Sequence, residues 1–239
     1  ENQGGTVLED DELLEEVTFL VEYPTAFAGT FSSDYLSIPP EVLVTSMKEH
    51  QRYFPVVDNQ GNLMPVFIGV RNGTNDNIQV VAEGNQRVLK ARLDDAYFFY
   101  REDTKEPLEN KVKLLENVIY QARLGTLWEK TKRLQGLAAF IARELGFEEI
   151  ELTERAALLC KADLETSMVY EFPELQGIMG RSYALLDGED PVVAQAIFEH
   201  YLPRFTGDDL PVSSPGIALS LAEKFDNLVG NFAIGVRPT

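Results

Sequence analysis

The sequence predicts an α+β protein in two parts: a mixed α/β region with a β-hairpin over residues 1–104, then an all-helical region over residues 105–239. Three observations predict it. Apolar runs flank Asp58-Asn59-Gln60-Gly61-Asn62, and Asp, Asn and Gly are the residues a tight hairpin turn needs. Leu127, Thr131, Leu134, Ala138, Ile141 and Leu145 recur at alternating steps of four and three, which lines them along one helix face. Asp190-Pro191 and Ser214-Pro215 each pair a capping residue with a proline that fits the first helical turn.

Taken in order, residues 10–16 read as a short acidic helix. Residues 17–23 are rich in β-branched and aromatic side chains and run into Pro24, which suits a strand. Pro39-Pro40 opens a helix through about Glu49. Residues 53–57 and 63–70 form the hairpin, and Pro55 and Pro65 demand edge positions or bulges because proline lacks an N–H. Residues 72–77 form a loop, and a helix follows from about Asn85 to Tyr100. In the second part, the helix that starts at Leu127 stops at Gly146. A second long helix spans residues 151–170, a third runs from Asp190 to Tyr201, and a fourth from Ser214 to about Val229.

Hydrophobic residues make up 44% of the chain, including 14 Phe and 9 Tyr, enough for a folded core. No apolar run approaches the ~20 residues of a membrane helix, so no membrane partner is expected. One cysteine, Cys160, excludes an internal disulfide and a Cys-rich zinc site, and points to a reducing, cytoplasmic setting. Its apolar neighbours mark it as a packed small hydrophobe. The net charge of −18 opposes any bulk electrostatic grip on nucleic acid. The acids Glu9, Asp10, Asp11, Glu12, Glu15 and Glu16 precede the first base, Lys48, and read as a solvated helix face. A start at Glu1 and a stop at Arg237-Pro238-Thr239 suggest a piece excised from a longer protein.

Helical spacing places Asp163 in line with Ala156, Leu159 and Cys160, on a face that should be buried. His200 follows Val193, Ala196 and Ile197 inward, and Glu223 and Asp226 flank the apolar stripe of the last helix. Arg181 is a candidate counter-ion. Carboxylates and a histidine converging from different helices have two readings: a metal site, or a buried polar network. A modest basic cluster, Lys48, Arg52, Arg71, Arg87 and Lys90 with Arg92, has two readings as well. It contacts phosphates, or it forms ion pairs within this acidic chain.

Five segments carry a family resemblance: residues 17–24, 40–56, 84–99, 161–177 and 199–205. The second contains Met47-Lys48-Glu49-His50-Gln51-Arg52-Tyr53-Phe54-Pro55-Val56. The third contains Arg87-Val88-Leu89-Lys90-Ala91-Arg92-Leu93-Asp94-Asp95-Ala96. The fourth contains Lys161-Ala162-Asp163-Leu164-Glu165-Thr166 and Glu171-Phe172-Pro173-Glu174-Leu175-Gln176-Gly177. Together and in this order they resemble the β subunit of the bacterial two-subunit glycyl-tRNA synthetase. The resemblance implies a parent complex of two α and two β subunits that joins glycine to its tRNA. The α subunit would bind glycine, ATP and Mg2+, and the β subunit would contribute tRNA binding. The anticodon reader would lie beyond Thr239, so this chain would be non-catalytic and hold no cofactor or metal of its own.

The helical part also resembles the His-Asp (HD) metal phosphohydrolase superfamily. There, a His, a His-Asp pair and a distal Asp bind metal. Here Ala162 precedes Asp163, no His stands near Lys132-Arg133-Leu134, and Glu223 takes the distal place. The resemblance therefore implies a degenerate pocket of Asp163, Arg181, His200, Glu223 and Asp226, either structural or an acceptor-stem surface. Metal-dependent phosphohydrolysis is the alternative, and an acidic scaffold without an RNA role is a third reading.

Overall fold

Asp10 sets the first helix: its carboxylate accepts the Leu13 backbone N–H at 2.9 Å, and α1 runs Asp11–Leu20. The expected strand over residues 17–23 is therefore corrected. Thr18 bonds back to the Leu14 carbonyl at 2.7 Å, and burial of Leu13 and Val17, one turn apart, outweighs the β propensity of Val17-Thr18-Phe19. Pro24 opens the strand instead of ending it.

The computed structural model describes residues 4–236; the terminal residues behind the expectation of an excised piece, Glu1 and Arg237-Pro238-Thr239, lie outside them. Packing divides the chain into residues 1–101 and 102–239, three residues before the expected join.

The first unit holds a four-stranded antiparallel sheet in the order β1-β3-β4-β2, from β1 (Thr6–Val7), β2 (Pro24–Thr30), β3 (Phe54–Val57) and β4 (Leu63–Asn72). The β3–β4 hairpin is the expected one. The Asp58 side chain accepts the N–H groups of Gln60 (2.8 Å) and Asn62 (2.9 Å), and Gly61 takes the left-handed conformation that closes the turn. The register slips between Pro55 and Val57; Pro65 lies in the slipped stretch, where its missing N–H breaks no registered pair, and Pro55, in register with Phe67, stands at the edge of the slip.

The pleat sends alternate side chains to opposite faces. Phe54, Ile68 and Val70 pack on Leu13 and Val17 of α1. On the other face, the Phe67 ring stacks on Tyr53 with centroids 4.4 Å apart and meets Phe27 edge-on. Gly29 pairs with Phe67 because any side chain there would collide with the ring. Helix α2 (Pro40–Gln51) follows its Pro-Pro start, and α3 (Ile78–Asp103) begins seven residues before the expected start.

The second unit is built on α5 (Leu127–Glu144), α6 (Ile150–Leu159), α8 (Ile178–Leu186), α9 (Pro191–Glu199) and α10 (Ser214–Ala233), with short α4 (Leu108–Val112) and α7 (Ser167–Glu171). It is not helix throughout. A two-stranded ladder, β5 (Ile119–Gln121) and β6 (Gly125–Thr126), turns the chain into α5, with Gly125 at φ 90°. Thr126 and Glu129 then close a capping box.

The long helix expected over residues 151–170 is also corrected. It breaks after Leu159 into a tight turn, Ala162–Glu165, and restarts as α7 under a Thr166 cap. The cap of α10 is Ser213, one residue before the expected Ser214.

Candidate functional site

The break in the expected helix creates the polar centre of the second unit. Asp163 sits in the turn after α6, fully buried. Its Oδ2 accepts the backbone N–H groups of Gly177 (2.6 Å) and Gly180 (3.1 Å) at the start of α8. A continuous helix would carry Asp163 past these donors; the turn aims it at them. Burial pushes the carboxyl up to about 6, against the opposing pull of those N–H groups and of Lys161.

Lys161, two residues earlier, is 3% exposed. Its Nζ lies 2.9 Å from His200 Nε2, 3.3 Å from Glu223 Oε1 and 4.1 Å from the centre of the Tyr201 ring. Burial alone lowers the pKa of this ammonium, but Tyr201 and Glu223 more than offset that and hold it above the ordinary lysine value. His200 follows the last residue of α9, and its Nδ1 donates to the Ile197 carbonyl at 2.5 Å. Burial and the nearby Lys161 charge hold the imidazole's pKa well below its usual value, so it is neutral.

A second lysine, Lys130 of α5, is 1% exposed. Its ammonium reaches Asp226 (3.0 Å), Asn227 (2.7 Å) and Glu223 (3.4 Å) on α10. Arg133, one turn on, grips Asp226 with two bonds of 2.6 and 3.1 Å. Three cations, Lys130, Arg133 and Lys161, thus face three carboxylates, Asp163, Glu223 and Asp226, around a neutral histidine. The centre ties α5, α8, α9 and α10 to the turn after α6.

Of the five residues expected to form a degenerate pocket, the structure brings Asp163, His200, Glu223 and Asp226 into this centre. Arg181 is half-buried on α8, its guanidinium 4.6 Å from the centre of the Phe198 ring. His200 is 0% exposed, so of the pair considered for an acceptor-stem surface only Arg181 reaches solvent.

The basic cluster of the first unit separates. Lys48 pairs with Asp10 and Arg52 with Glu16 (2.5 Å), both turned to α1. Arg71 donates to the Asp76 carbonyl at 3.0 Å. Arg87 and Lys90 share one cavity of about 350 Å3, lined also by Thr30, Ser32, Tyr35, Gln86 and the carboxylate of Glu83. Lys90 is paired there with Asp94 (2.5 Å), and Arg87 has no ion pair among the described residues.

Sequence reasoning missed Lys130, Arg133, Lys161 and Tyr201. A lysine beside a buried stripe reads as solvated, and the one available signal was that Lys130 and Arg133 adjoin Thr131 and Leu134 on α5. It also missed buried Asp103, which caps α7 through the N–H groups of Ser167 and Met168, both at 2.9 Å. Chemically the centre sets the chain's own cations against its own carboxylates. Among the described residues, no group of three or more His, Cys, Asp or Glu is placed to hold a metal ion.

Comparison with known proteins places the chain first in a class, the subunits of aminoacyl-tRNA synthetases. Residues 1–239 match the family described as "Glycyl-tRNA synthetase beta subunit", and the chain belongs to that family. It is 61% identical over 236 residues to the glycine–tRNA ligase beta subunit of Syntrophomonas wolfei subsp. wolfei. It is 57% identical over 237 residues to that of Clostridioides difficile, and 56% over 236 residues to that of Syntrophotalea carbinolica. Each alignment covers 99% of this chain and 34% of the relative, so the chain spans about a third of the length of these relatives. The phosphohydrolase alternative finds no support in these relatives.

Proposed function

We propose that the chain serves glycine–tRNA ligase as a non-catalytic part of the β subunit, contributing tRNA binding and subunit scaffolding to the ATP-dependent glycylation of tRNA. Family membership along all 239 residues is the observation that carries this reading. In it, two α and two β subunits assemble in the cytoplasm, and the α subunit supplies the glycine, ATP and Mg2+ site. The helical unit is an HD-like module whose centre, around Asp163, is structural. No helix among the described residues is long and apolar enough to cross a membrane.

With 39 acidic against 21 basic residues, RNA contact must be local. The cavity of Arg87 and Lys90 is the candidate, since the Arg87 guanidinium, with no ion pair among the described residues, suits a phosphate oxygen, against the opposing charge of Glu83 in the same cavity. Lys48, Arg52 and Arg71 are weaker candidates, because each is already engaged within the chain.

The test is sedimentation of the 239-residue chain with purified glycyl-tRNA synthetase α subunit and with glycine tRNA. Co-sedimentation with either, weakened by salt in the case of tRNA, supports the reading. Free migration of all three components overturns it.

A further inference from the structure

Lys161 is charged and almost wholly buried, which is strongly unfavourable unless partners surround the ammonium. Three do. The Ile197 carbonyl can only accept, so His200 Nδ1 carries the ring proton and Nε2 offers its lone pair to Nζ at 2.9 Å. Glu223 Oε1 adds negative charge at 3.3 Å. The Tyr201 ring presents its electron-rich face at 4.1 Å. A nitrogen lone pair, a carboxylate oxygen and an aromatic face converge on one point, and each of the three attracts an ammonium ion.

The negative side of this site is also under-satisfied. Asp163 Oδ1 and Glu223 Oε2 are buried and make no hydrogen bond among the described residues. With His200 at 0% and Glu223 at 9% exposure, water reaches little of it. Taking the ammonium away would leave buried carboxylate charge with fewer partners, whereas an added cation would find its contacts already built.

We propose that Lys161 is the resident cation of a built ammonium site, formed by His200, Glu223 and Tyr201, and that a chain with Lys161 shortened takes up a small primary ammonium ion in its place. This stands apart from any role in glycylation: it concerns what the centre binds, and it holds or fails whether or not the chain contacts tRNA.

The test is chemical complementation of Lys161→Ala in the 239-residue chain. Propylammonium replaces the three carbons and the nitrogen that this change removes. We expect Lys161→Ala to lower the urea midpoint and propylammonium chloride to restore it saturably. At one hundred times the dissociation constant the folding constant should rise about 100-fold. Sodium and tetramethylammonium chloride at equal ionic strength should not do this. Equal effects of the three salts overturn the proposal.

If Lys161→Ala remains unfolded at every amine concentration, two further variants decide. Lys161→Met keeps the volume and loses the charge, and should be much less stable than the parent. Lys161→Met with Glu223→Gln should recover part of the loss, because the buried negative charge goes too. A Lys161→Met chain as stable as the parent, or no recovery in the double variant, overturns the proposal.

Discussion

Asp163 accepts the backbone N–H of Gly177 at 2.6 Å, and this bond joins the turn after α6 to the start of α8. The same carboxylate oxygen takes the Gly180 N–H, so one side chain satisfies two of the orphan donors at a helix N-terminus. Asp163→Ala leaves both donors buried without a partner and should cost about 2–4 kcal/mol. Asp163→Asn keeps an acceptor oxygen and should cost less. Urea unfolding of the two variants checks the order; equal losses would show that the acceptor is not what matters.

Gly180 is a second point of strain-free contact that a side chain would spoil. A Cβ there would lie 2.7 Å from Ile197 Cγ2 and 3.0 Å from Asp163 Oδ2. Gly180→Ala should therefore destabilise by about 1–3 kcal/mol, although alanine is the better helix former. A variant more stable than the parent would mean that propensity decides at this position.

The pH dependence has two opposed parts. His200 has a folded pKa well below the unfolded value of 6.5, so below pH 6.5 the unfolded chain binds more protons and stability falls as the solution is acidified. Asp163 has a folded pKa of about 6 against an unfolded 3.8, so between these values the folded chain binds more protons and stability rises on acidification. The two partly cancel between pH 6 and pH 4. His200→Gln removes the first and leaves the second, and the decline of unfolding free energy from pH 6.5 to pH 5 should become shallower or reverse. An unchanged slope would place the acid sensitivity elsewhere.

Asp10 caps α1 through Leu13 and pairs with Lys48. Asp10→Ala should cost about 0.5–2 kcal/mol. Amide exchange in residues 11–20 should quicken by more than elsewhere in the first unit. A uniform effect would argue against a local cap.

Arg87 and Lys90 give the RNA reading its sharpest surface test. With both changed to alanine, affinity for glycine tRNA should fall and the slope of log affinity against log salt should shrink by about one to two. Folding stability should hardly move, since the ion pair of Lys90 with Asp94 is exposed. Unchanged affinity and slope would remove this cavity from the contact surface.

Much of the fold was legible in local chemistry. Proline at the starts of α2 and α9, the apolar period of α5 and the Asp58 turn of the hairpin act over a few residues, and a sequence displays them directly. What was not legible depends on distant partners. Val17-Thr18-Phe19 favours a strand until Leu13 and Val17 are set against Phe54 and Ile68. Residues 151–170 read as one helix until Gly177 and Gly180 claim the Asp163 carboxylate. The acidic half of the centre was visible as charge on apolar faces. Its cationic half, Lys130 and Lys161, was not, because a lysine's long stem lets it read as surface wherever it stands.

Transfer of labelled glycine to tRNA, by α subunit mixed with a β subunit carrying this 239-residue segment, tests the central claim most directly. The account predicts ATP-dependent charging that needs both subunits and persists when Cys160 is changed to alanine, since on this proposal the chemistry is done by residues outside this segment. Charging no greater than that of α subunit alone would contradict it.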